Sequence, residues 1–349
     1  MEKLDANQIK RLFFSIIFFW LALYIHIPYQ VLYINKFKIT SGMQGLIIGA
    51  YGYMQFLLRI PLSILADKMG KQKLLMMTGS IMPGIASLIR LLFDNPMGYF
   101  VANIVGGFGA AFWVMFIVEY TRMYSYIMTE KQDASAQINL ANQTGILLGY
   151  LLSLLFYREN NIKNLLIISI VFSVISCLLI SLNRVTPNDN LIKNDLTIKK
   201  IAKEIINNKN LLRILPIGFL HFGLLSATIQ AFSIQRVLLF ENNKNIIGFL
   251  NLFYIFSTVL FTLLLNNLMQ KKSILKIKKF DYKLTIIGLI LAIIYHFVYI
   301  YVESIVFFLI LQIIAGAYSA ILATVGIKLA LEYVPNYLKN IGMGVYQTL

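Results

Sequence analysis

Ser63-Ile64-Leu65-Ala66-Asp67-Lys68-Met69-Gly70-Lys71-Gln72-Lys73-Leu74-Leu75 joins two apolar runs, 44–66 before it and 73–93 after it. Each run has about the 20 residues that an α-helix needs to cross a hydrocarbon core about 30 Å thick. Between them stand Asp67, Lys68, Lys71 and Lys73, with Gly70 free to make a tight turn. The stretch reads as the polar hairpin between two membrane-crossing helices.

The same pattern extends in both directions. Ten stretches are long and apolar enough to cross: 12–34, 44–66, 73–93, 97–119, 137–157, 163–182, 211–235, 246–268, 284–301 and 304–327. An eleventh begins near Lys339. Its remaining residues, at 1.5 Å each, cover about 15–18 Å, so the chain is expected to be a fragment or to carry a truncated end. The first stretch is too long for a signal-peptide core and has no small-residue cleavage pattern after it, so it is expected to stay as an anchor. Composition agrees: of 349 residues, 58% are hydrophobic and 13% are charged, about half the charged share of a soluble domain. One cysteine, Cys177, leaves no disulfide framework and no Cys-rich zinc cluster. No metal is expected.

A net charge of +16 could signal nucleic acid or basic membrane loops. Its distribution decides. With the N-terminus inside, 23 of the 31 basic residues fall on the cytoplasmic side, notably Lys271, Lys272, Lys276, Lys278, Lys279 and Lys283 in one loop. Six fall outside, and Arg59 and Arg90 lie within spans. That is the positive-inside asymmetry of a multi-pass protein in the cytoplasmic membrane. A nucleic-acid binder would gather its charge on a polar surface, which this chain lacks.

One long polar connection, 183–210, divides the chain into a six-span half (1–182) and a second half (211–349) cut within its eleventh helix. The halves echo each other. Asp67–Lys71 falls on Asn267–Lys271 at an offset of 200, and Glu119-Tyr120 on Glu332-Tyr333 at an offset of 213. Both matches occupy equivalent topological places, as parallel transporter repeats do.

Residues 63–75 resemble the loop 2–3 signature of the major facilitator superfamily, G-x-L-A-D-R-x-G-R-K-x-x-L. Leu65, Ala66, Asp67, Gly70 and Leu75 match it outright. Lys68 and Lys71 stand for Arg, Gln72 for Lys, and Ser63 for the first Gly. Arg59-Ile60-Pro61 is similar to the lead-in of bacterial members. The resemblance implies an all-α polytopic fold of two pseudo-symmetric six-helix bundles, with ten full helices and the start of an eleventh present. It also implies that Asp67, with Lys68, Gly70 and Lys71, gates the cytoplasmic end by binding the start of helix eleven, joined by the acid closing helix four, here Glu119.

Polar residues inside spans are costly and mark candidate sites. Arg59, about 12 Å along its helix from Asp67, either binds an anionic group or snorkels to the cytoplasmic side. Arg90 is expected to snorkel outward. His26, Tyr29 and Gln30 form a polar break around Pro28, which also reads as a kink; His221 and Gln230 are similar candidates in span seven. The resemblance implies a cavity lined by helices one, four, seven and ten, which favours His26 and His221 over His296. Proton-linked relatives often carry R-x-x-x-G in helix four, but Asn103 takes the arginine's place before Gly107. Gly145-x-x-x-Gly149 lacks the proline of drug/proton antiporters and reads as close helix packing.

The function expected is secondary active transport of a small solute by alternating access, with a coupling ion possible. A monomer is expected. A sensor or receptor retaining a transporter fold stands beside it. An intramembrane enzyme is a weaker third reading, because the histidines are dispersed and the spans hold almost no carboxylates. No G-x-x-x-x-G-K-[ST] loop occurs, which disfavours an ATP-driven pump, and no cofactor is expected.

Overall fold

A computed structural model describes residues 6–127, 134–158, 161–184, 198–225, 228–229, 237, 245–270 and 274–348. Among them, nine helical segments are long and apolar enough to cross a membrane. The first is broken: α1 (Ala6–Tyr24) stops and α2 (Ile27–Ile34) begins after His26. Pro28 lacks an N–H and sits in the first turn of α2, where none is needed. The expected polar break is therefore a real interruption of the helix.

α3 (Ser41–Met69) starts at Thr40, whose side chain accepts the Met43 N–H, and ends at Gly70 with φ 64°. That left-handed conformation suits glycine and turns the chain into α4 (Gln72–Leu92). α5 (Pro96–Ala111) is capped by Asn95, which accepts the Gly98 N–H at 2.8 Å. After a kink at Phe112 the path continues as α6 (Trp113–Ile127). α7 (Ala134–Phe156) and α8 (Lys163–Ser181) complete the first bundle.

Serines knit this bundle together. Ser15 and Ser176 pair at 3.1 Å, Ser87 and Ser169 at 2.8 Å, and Ser173 donates to the Ser80 carbonyl at 2.6 Å. In lipid, where no hydrophobic drive separates helix from helix, such polar and small-residue contacts hold spans together. Gly145 packs its backbone against the Ile17 carbonyl, with no room for a Cβ, and Gly107 does the same against Tyr51. Leu88, Leu155, Leu178, Ile293 and Phe307 project outward, as surfaces facing hydrocarbon require.

The second bundle follows α9 (Ile198–Asn207), which tucks Ile201 and Ile205 inward. α10 (Lys209–Gly218) runs on into a π-helical turn, Phe219–Leu225. The rest of expected span 211–235, including Gln230, lies outside the described residues apart from Thr228 and Ile229. α11 (Asn245–Gln270), α12 (Ile274–Tyr301), α13 (Ile305–Glu332) and α14 (Lys339–Thr348) complete it. The bundles meet along two seams. In one, α3 lies against α14, and Gly344 packs so closely on Ser63 that a Cβ would collide with its hydroxyl. In the other, the Asn139 amide of α7 donates to Thr324 of α13 at 3.0 Å.

Candidate functional site

At the closed end of the first seam, Asp67 is 4% exposed yet hydrogen-bonded on both oxygens. Oδ1 accepts from the Asn340 amide at 2.6 Å and from its backbone N–H at 3.3 Å; Oδ2 accepts the Ile341 N–H at 2.9 Å. These donors form the first turn of α14, where unsatisfied N–H groups and the helix dipole favour an anion. Gln72 completes the joint by donating to Asn340 at 2.9 Å and to the Met115 carbonyl of α6 at 3.0 Å. Two side chains to which sequence reading gave no site role, Gln72 and Asn340, thus connect four helices, α3, α4, α6 and α14.

Glu119 is 1% exposed and pairs with Arg122 at 3.4 Å rather than reaching Asp67 directly. Arg122 links them electrostatically, because its charge acts on Asp67 and on Lys339. Burial pushes the Lys339 ammonium below its ordinary range, and Arg122 adds to that. Lys68 and Lys71 are exposed and take no part in these hydrogen bonds.

Between the bundles lies a cavity of about 460 Å³, within the size range of small-molecule sites. Trp20, Tyr24, Tyr51, Phe56, Trp113 and Tyr254 supply rings to its wall; Gln55, Arg59, Asn142, Gln143, His221 and Ser319 supply polar groups. Arg59 donates to Gln55 and to the Gln347 carbonyl, so its guanidinium turns inward to the seam. Of its two expected readings, the snorkelling one does not hold.

His26, Gln30 and Asn103 do not line this cavity. They gather in a separate cluster with Arg90, which is 3% exposed. Arg90 donates to Asn103 at 2.6 Å, Gln30 donates to the same oxygen at 3.2 Å, and Asn103 donates to the Ile47 carbonyl at 2.6 Å. Arg90 therefore corrects the expectation of a snorkelling residue: α4 aims it into the bundle and over the Tyr99 ring, 5.8 Å away. The guanidinium missing from position 103 is supplied by the neighbouring helix. Tyr29 stacks on Tyr157 at 3.6 Å between centroids, a packing role outside the cavity. His296 contacts its own helix at the Ala292 carbonyl, 2.8 Å away.

Lys328, one residue past the expected span 304–327, still lies within α13, 8% exposed, and pairs with Asp281 of α12 at 2.8 Å. An acid and a base placed on different helices leave no local spacing by which sequence could reveal such a pair.

Helical hairpins in two bundles with a cavity between them define a multi-pass membrane protein with the major facilitator fold. Residues 12–349 match the Major Facilitator Superfamily, and the chain belongs to that transporter family. It superposes on the crystal structure of the human organic anion transporter MFSD10 (TETRAN) with a TM-score of 0.79 at 12% identity, covering 99% of this chain and 90% of that one. The nucleoside transporter NupG (D323A mutant) gives 0.69 at 15% identity, covering 98% and 86%. The transporter FucP in the outward conformation gives 0.70 at 13%, covering 97% and 86%. No curated protein matches the chain in sequence.

Proposed function

We propose that this protein is a secondary active transporter that moves a small solute across the cytoplasmic membrane by alternating access, with its N-terminus in the cytoplasm. The cavity of about 460 Å³ between the bundles carries this reading. It is walled by rings and amides, and at one end the bundles are held together by Asp67 on the first turn of α14. Residues 1–182 and 211–349 are the two moving units in this proposal, connected by 183–210. Asp67, Gly70 and Glu119 serve the gate, with Lys68 and Lys71 orienting the loop toward the cytoplasm. Arg59 and His221 face the solute; the cluster of His26, Gln30, Arg90 and Asn103 stiffens the first bundle or takes part in coupling.

Alternating access requires the Asp67 joint to open while the opposite mouth closes. A cysteine pair at Ser63 and Gly344, in otherwise cysteine-free protein in proteoliposomes, should crosslink, and transport should then fall below that of the same variant kept reduced. Full transport by the crosslinked protein would remove the gate from this reading.

A further inference from the structure

We propose that the solute carried in this cavity is a small organic monoanion with a flat, ring-like body, recognised by Arg59; this rests on the transport reading above. Among the described residues that line the cavity, Arg59 is the permanent charge, and no Asp or Glu faces it. Its partners are a backbone carbonyl, at Gln347, and the neutral amide of Gln55. Tyr51 and Tyr24 place phenols, neutral at ordinary pH, on the same wall.

A guanidinium removed from bulk water and matched only by neutral acceptors leaves a net positive field, and low-dielectric walls focus that field into the cavity. Arg59 borders the cavity, and its Nε is buried without a partner. Planar guanidinium donors fit a carboxylate better than a point charge does. One cation balances one negative charge, which favours a monoanion over a dianion. The body of the solute is set by the walls: Trp20, Tyr24, Tyr51, Trp113 and Tyr254 present ring faces and edges that suit a planar apolar group.

The first bundle repeats the imbalance at Arg90. Its partners are the Asn103 oxygen and the Tyr99 ring, while the nearby carboxylate, Asp94, is held by Lys36 at 2.6 Å and by Tyr33 at 3.2 Å. Tyr51 borders both this cluster and the main cavity. Two interior guanidinium groups on either side of one tyrosine make the whole region hostile to cations.

Matched acid and amide probes test the charge alone. Benzoate, nicotinate and indole-3-acetate are compared with benzamide, nicotinamide and indole-3-acetamide by thermal stabilisation of the purified protein at constant ionic strength, together with benzylamine. At least one acid should raise the melting temperature with an apparent affinity about tenfold or more above its amide, a difference of about 1.4 kcal/mol. Arg59→Gln should abolish that preference, and Arg59→Lys, which keeps the charge and guards against a folding failure, should retain part of it. Equal or better stabilisation by an amide or by benzylamine overturns the anion class, as does a preference for acids that survives Arg59→Gln, or no response to any acid. The Ser63–Gly344 crosslink separates the two proposals: a crosslink-dependent loss of transport with no acid response sinks the anion class and leaves the transporter standing.

Discussion

Asp67 and Asn340 lie 273 positions apart in the chain and meet through two hydrogen bonds, at 2.6 and 3.3 Å. One carboxylate thereby holds the start of α14 against the end of α3. Asp67→Asn keeps the shape but replaces an acceptor oxygen by a donor that faces other donors. Hydrogen bonds to a charged group contribute about 1.5–3 kcal/mol, so the joint should weaken by about that much. Solute counterflow in proteoliposomes should change severalfold while membrane insertion is normal. Unaltered counterflow would show that the joint carries no part of the rate.

Lys328 and Asp281 form an ion pair withdrawn from solvent. Removing one member takes this counter-charge from the other, and breaking a buried pair costs about 3–5 kcal/mol, whereas replacing both by apolar residues is often neutral. Lys328→Met should therefore lower the melting temperature strongly, and Lys328→Met with Asp281→Leu should recover most of the loss. A double variant as unstable as the single one would mean that the two charges have other essential partners.

The backbone of Gly145 lies against Ile17 with no space for a side chain, whereas Gly52 has nothing within 4 Å of the position a Cβ would take. Overpacking of this kind costs about 1–3 kcal/mol. Gly145→Ala should destabilise by that order, and Gly52→Ala should leave stability close to unchanged. Melting curves of the two alanine variants, read side by side, check the difference.

Asn103 serves Arg90, Gln30 and the Ile47 carbonyl at once. Asn103→Leu leaves these groups without their partner in an interior where each unsatisfied polar group costs about 1–3 kcal/mol. The variant should express poorly or melt early. Asn103→Asp, which gives Arg90 a counter-charge, should be tolerated better, and a reversed order would mean that Arg90 already has its charge balanced.

The membrane spans and the 63–75 hairpin were legible because they are written in composition and in a short motif with fixed spacing. The direction of side chains was not. α13 is apolar on almost every side, and Asp281 stands in a run that also holds Lys276, Lys278, Lys279 and Lys283, so no stripe in the sequence says which way Lys328 or Asp281 points. Arg90 near a span end has the same ambiguity: a long side chain there can reach water or turn inward, and hydropathy is blind to the choice. Asn340 and Gln72 were missed for a different reason. Their importance comes from a meeting between residues far apart in the chain, and neither carries a charge to draw the eye. His26 and Asn103 were legible as buried polar residues, but the wall they belong to depends on how α1 and α5 are rotated.

The serine contacts described above distribute stiffness unevenly. α1, α4 and α8 are stitched at several levels by hydroxyls whose alternative partners in hydrocarbon are few, so sliding one past another would break several stitches together. The bundles are joined to each other by hydrogen bonds as well, from Asn139 to Thr324 at one seam and, at the other, between Asp67 or Gln72 and the start of α14 and from Arg59 to the Gln347 carbonyl. α8 is therefore the spine of the first bundle: Ser169, Ser173 and Ser176 each hold a neighbouring helix, so a change on that face is felt by α1 and α4 together.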